Sequence, residues 1–149
     1  MTMTSFHGVS GTLRVCLVYP RMYNDRKTHL FIYWASDNFK KGCYNLVCPG
    51  FIQTDKSITL GQSFNQTSTI DGWTIEMPLA IIQDPNSKNW WINIDEKPIG
   101  YYPASLFSSM RSANQVAWFG KTTNDLDTPS PPMGSGALPN GVLGHACFF

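Results

Sequence analysis

The sequence predicts an all-β fold, laid out as an antiparallel sandwich, and three observations carry that expectation. Helical periodicity is almost absent along the 149 residues. Apolar, aromatic and β-branched residues fall instead into short runs of about four to eight, the length of buried or half-buried strands. Turn residues punctuate nearly every run at a spacing that suits hairpin-connected strands.

Taken in order, residues 1–11 are polar and small. Residues 13–19 form a compact apolar run consistent with a buried strand. Residues 29–35 are aromatic and aliphatic and stop at the turn pair Asp37-Asn38. Residues 44–54 predict a strand on each side of a cysteine loop. Residues 58–60 alternate and stop at Gly61. After the turn signal Asp71-Gly72, residues 73–82 predict one long strand, with Pro78 confining it to an edge or a bulge. Asp84-Pro85-Asn86-Ser87 turns the chain into a strand at 90–94, and Asp95-Glu96 into another at 98–102. Residues 104–110 predict a helical turn and 115–119 a strand. Residues 122–141, with Pro129, Pro131, Pro132 and Pro139, predict a long loop, and 142–149 a closing strand.

The length is that of one domain with a sizeable core. A formal net charge of +1 with 14% charged residues leaves no basic stripe, so no nucleic-acid partner is predicted. No segment approaches a membrane span. Residues 1–11 read as no signal peptide, because the apolar stretch Val15-Cys16-Leu17-Val18 is short and runs into Tyr19-Pro20. His7, His29 and His145 lack ligand spacing, so no metal site and no cofactor are predicted. Nothing in the sequence specifies an oligomeric state.

Cys43 and Cys48, bracketed by Gly42 and by Pro49-Gly50, mark a tight turn. A lone C-x4-C pair is no metal motif, so a small disulfide loop and an oxidising compartment are the better reading. On a chain-entropy view so short a loop stabilises by about 2 kcal/mol. Its expected job is to fix a bend where a strand leaves the sheet. Asn65-Gln66-Thr67 is an N-glycosylation triplet, meaningful in a secreted chain.

The segment Gly42-Cys43-Tyr44-Asn45-Leu46-Val47-Cys48-Pro49-Gly50-Phe51-Ile52-Gln53-Thr54 resembles the signature of the plant neprosin family. Other pieces follow the family's order. Val18-Tyr19-Pro20-Arg21-Met22-Tyr23-Asn24-Asp25 and Leu30-Phe31-Ile32-Tyr33-Trp34 precede it. Asp84-Pro85 with Asn89-Trp90-Trp91, then Gly100-Tyr101-Tyr102-Pro103 with Leu106-Phe107, follow it. Met133-Gly134-Ser135-Gly136 and Gly144-His145-Ala146 close the series. The resemblance implies a secreted β-sandwich endopeptidase that cuts after proline with two glutamates. It covers residues 18–149 as a partial domain, so the sandwich is expected to be truncated at its N-terminal side, with 1–17 a divergent segment. Extracellular localisation follows from the resemblance alone.

Two-glutamate hydrolysis needs one group to activate water and another to protonate the leaving amine, with their pKa values split by environment. The resemblance places the first glutamate in a Glu-Ala-Gly-Trp motif, matched here by Leu13-Arg14-Val15-Cys16. It places the second in Trp-Gly-Gly-Glu, matched by Trp118-Phe119-Gly120-Lys121. Leu13 and Lys121 thus stand at the family's acid positions, and no catalytic residue is assigned. The chain's two glutamates, Glu76 and Glu96, read as solvated surface acids.

This copy is therefore expected to be inactive, and the alternative is a sandwich that binds Pro-rich peptides or cell-wall glycans. Trp34, Gln53, Trp91 and Tyr102 are the candidate groove residues, each readable as core or as cleft lining. Cys16 and Cys147 are unpaired in the family scheme. They are either two buried thiols or a second disulfide.

Overall fold

The structure is a computed structural model and describes residues 3–8, 11–37, 39–107, 110–113, 115–119, 127, 129, 135–138, 140–142 and 145. Among the described residues nine strands alternate with connections: β1 (Met3–Gly8), β2 (Gly11–Leu17), β3 (His29–Ser36), β4 (Lys41–Tyr44), β5 (Ile52–Gln53), β6 (Leu79–Gln83), β7 (Trp90–Ile94), β8 (Lys97–Tyr102) and β9 (Gln115–Phe119). One helical turn, α1 (Pro20–Tyr23), starts on a proline and ends at Asn24 in the left-handed region. A 3-10 turn covers Ala104–Phe107.

The strands form two open antiparallel sheets, ordered β4-β3-β2-β1-β9 and β5-β8-β7-β6. The antiparallel all-β class is therefore established. Inward residues of both sheets share one core. Leu30, Ile32 and Trp34 of β3 meet Trp90, Ile92 and Ile94 of β7, with Ile99, Tyr102, Phe51, Phe107 and Met110. The period-two spacing of these residues is the sheet's own pleat.

Several expectations are corrected. Residues 3–8, to which the sequence reading assigned no element, form β1, which pairs with β2 up to Gly8 and Gly11 and lies beside β9. Their polar composition hid the strand. The long strand at 73–82 is shortened to β6, which begins one residue after Pro78. Pro78 has no N–H for a ladder, but its carbonyl accepts from the Asp95 amide at 2.9 Å, and β6 is an edge strand. Residues 58–60 form no strand. The residue 142–149 strand falls mostly outside the described residues, and Val142 and His145 are not in strand.

The β7–β8 hairpin turns on Asp95 and Glu96, with φ of 50° and 62°. Two positive φ values give the primed turn whose twist matches a two-residue hairpin. At Gly100, paired with Gln53, an added Cβ would strike the Ile52 carbonyl oxygen and lie 2.5 Å from Phe51 Cζ. Glycine there lets β5 close onto β8.

Candidate functional site

Cys43 and Cys48 form the expected disulfide, with Cα atoms 6.2 Å apart. Cys43 is buried in the core while the loop it closes is exposed at Leu46 and Val47. Asn45, inside that loop, has φ 48° and is itself buried. Its amide donates to the Ile32 carbonyl at 2.9 Å, and its side-chain oxygen accepts from the Ile32 amide at 3.1 Å. One asparagine thus continues the β3 ladder after β4 has ended, which is why the bend needs this residue.

The Asn45 side-chain NH2 donates to Tyr23 Oη at 3.1 Å, tying the bend to α1. Tyr23 stacks on the buried His29 ring, centroids 3.7 Å apart. His29 Nδ1 lies 2.7 Å from the Gly61 carbonyl and Nε2 lies 2.9 Å from Asp25 Oδ1. The His29 hydrogen bond, joined by one from the Lys27 amide, holds the Asp25 carboxyl below its ordinary range. Burial raises the Tyr23 hydroxyl, against the opposing hydrogen bond from Asn45. Sequence reasoning missed this network. Its members lie in three different connections and in β3, and no spacing rule links them.

The four groove candidates do not converge on one surface. Trp34 is 8% exposed and Tyr102 is fully buried, and each meets Phe107 edge-on at 6.1 Å. Both belong to the shared core. Trp34 Nε1, Trp90 Nε1 and Tyr102 Oη are buried with no hydrogen-bond partner among the described residues. Burial alone pushes the Tyr102 hydroxyl well above its ordinary value. Gln53 spends its NH2 group on the Asp55 and Ile58 carbonyls, at 2.8 and 2.7 Å, bracing the loop after β5.

Trp91 faces the other way. It is half-buried, and its ring lies 4.7 Å from that of Tyr101. Register places Ile82 opposite Trp91, Trp91 opposite Tyr101, and Tyr101 opposite Ile52. Directly paired residues share a face. These four side chains therefore make one apolar row across all four strands, with Ile82 49% and Ile52 44% exposed.

Glu76 and Glu96 are both exposed, Glu76 ahead of β6 and Glu96 at the tip of the β7–β8 hairpin. Leu13 sits in β2 as the register partner of Trp34 on one side and Phe6 on the other. Lys121 and Cys147 lie outside the described residues. No group of three or more His, Cys, Asp or Glu side chains that could hold a metal ion occurs among the described residues.

These features define a small, disulfide-stapled, antiparallel all-β domain whose aromatic core joins two open sheets. The neprosin family model matches residues 11–149, and the chain belongs to that family. The matched region begins within β2, ahead of the boundary at 18. Family and disulfide together point to an extracellular protein. Among the described residues no helix is long and apolar enough to cross a membrane.

Proposed function

We propose that this neprosin-family domain recognises proline-containing peptide strands without hydrolysing them. Family membership supports a peptidase-related role. The observation that carries the loss of hydrolysis is at position 13. Leucine stands there, where the resemblance puts the first acid, and a hydrocarbon side chain can neither take nor give a proton. The chain's own glutamates sit exposed on separate connections, Glu76 ahead of β6 and Glu96 on the β7–β8 turn.

Recognition falls to the row Ile82–Trp91–Tyr101–Ile52. Flat aromatic faces pack well against proline rings, whose extended helix costs little entropy to dock. The test incubates the purified chain with a proline-containing peptide and follows both cleavage and tryptophan emission. The expected result is an intact peptide and a saturable emission shift that Trp91→Ala removes. Cleavage after proline sinks the reading, and Glu76→Gln and Glu96→Gln then locate the acid. A shift with cell-wall polysaccharide but none with polyproline replaces the peptide with a glycan.

A further inference from the structure

The connection between β5 and β6 carries chemistry that neither the core nor the outer row uses. Phe64 anchors it, packing against the core and donating its amide to the Thr28 carbonyl at 2.9 Å. Asn65, Gln66 and Thr67 follow, all exposed. The chain then folds back on itself. Ser68 Oγ accepts from the Ile75 amide at 2.9 Å and donates to the Ile75 carbonyl at 3.1 Å, and the Thr69 amide donates to the Trp73 carbonyl at 3.1 Å. This closed loop holds Trp73 at 86% exposure, the indole almost wholly in water.

With Ile70 at 57% and Ile75 at 43% exposure on the same loop, Trp73 belongs to an exposed apolar patch, the kind of surface that marks a ligand site. Beside it lies an open cleft of about 380 Å³ lined by Gln66, Thr67, Thr69, Trp73 and Ile75. A lining that joins an indole with amide and hydroxyl groups suits a pyranose. Its C–H face lies on the ring while its hydroxyls meet the polar side. Asn65 immediately precedes the first lining residue. Asn65-Gln66-Thr67 is also the acceptor triplet for N-linked sugar, with no proline in its middle position.

We propose that Asn65 carries an N-linked glycan and that its first sugars lie in the Trp73 cleft. The donor is a lipid-pyrophosphate-linked oligosaccharide. The Asn65 side-chain nitrogen forms a bond to the sugar's C1, the C1–O bond to pyrophosphate breaks, and the lipid pyrophosphate leaves with the bonding electrons. The amide gives up one proton to the transferase's base. This modification is independent of peptide hydrolysis and needs only passage through an oxidising secretory compartment, which the Cys43–Cys48 disulfide also needs.

The test routes the full chain into eukaryotic microsomes behind a cleavable leader and examines the protease-protected fraction. Wild type and Thr67→Ser are expected to show one slower band that a peptide N-glycosidase collapses. Asn65→Gln and Thr67→Ala are expected to show none. A protected wild-type chain that runs unmodified overturns the proposal. For the cleft, acrylamide quenching of the secreted glycoprotein is compared before and after the glycan is removed. Removal is expected to raise quenching in wild type and leave Trp73→Phe unchanged. Equal quenching in wild type overturns the placement of the sugars against Trp73.

Discussion

On one face of the second sheet Ile81, Ile92 and Gly100 meet in register against the shared core. On the other, Ile82, Trp91, Tyr101 and Ile52 meet in register against solvent. The residues alternate along the same strands, so backbone geometry is common to both rows. The inner row contains a side chain with no exposure at all, Ile92, and a glycine that admits no Cβ. The outer row leaves two isoleucines nearly half open. One face is constrained by volume and the other is not. Substitutions should therefore separate cleanly into those that unfold the domain and those that change what it binds.

The largest expected effect lies on the inner face. Ile92→Ala removes a fully buried side chain from a core fed by both sheets, and should cost about 3 kcal/mol or more. Urea denaturation followed by tryptophan emission measures it. Ile82→Ala, one strand over and on the opposite face, should cost less than about 1 kcal/mol. Equal losses in the two variants would erase the distinction between the faces.

Reduction of the disulfide comes next. Breaking Cys43–Cys48 should cost about 2 kcal/mol, the loop-closure entropy of a short loop. The bend itself should outlast reduction, because Asn45 holds Ile32 through both backbone and side chain. Cys43→Ala with Cys48→Ala, compared by thermal melting with Asn45→Ala, tells whether covalent or hydrogen-bonded closure matters more.

Tyr102→Phe should be neutral or stabilising by up to about 1 kcal/mol, since it deletes a buried hydroxyl with no partner among the described residues. The same residue sets an alkaline limit. Its folded pKa is raised by burial from the ordinary 10.0. The folded state therefore keeps a proton that the unfolded state gives up. Stability from this group is complete below about pH 10 and declines as pH rises beyond it. Tyr102→Phe should flatten that decline in melts taken between neutral and alkaline pH. An unchanged slope would assign the alkaline loss to other groups.

Legibility in the sequence followed the same division between faces. Strands β7 and β9 were readable to the residue, because Trp90-Trp91 through Ile94 and Gln115 through Phe119 combine strong β propensity with clear turn boundaries. The disulfide was readable because spacing alone excluded a metal. β1 was not, since its polar residues give no strand pattern and its place is set by backbone pairing to β2 and β9. For the candidate site, aromatic identity was visible but its side of the sheet was not. Trp34 and Tyr102, readable as core or as cleft lining, lie in the core, whereas Tyr101, open to the same two readings, lies on the outer row with two isoleucines that were not singled out. Cross-strand register creates that row, and register is decided by partners far away in the chain.

The smallest effect on stability tests the outer face directly. Trp91→Ala breaks one cross-strand aromatic pair, worth about 0.5 kcal/mol at a half-exposed site, and leaves the inner face of β7 untouched. The melting temperature should scarcely move. If the row is a recognition surface, the same substitution should abolish the emission shift produced by a proline-containing peptide, and Tyr101→Ala should weaken it. A variant that binds like wild type would place recognition elsewhere. A variant that loses binding only by melting would place Trp91 in the core's accounts, against its register and exposure. Intact stability with lost binding is the one combination that alternation along β7 predicts.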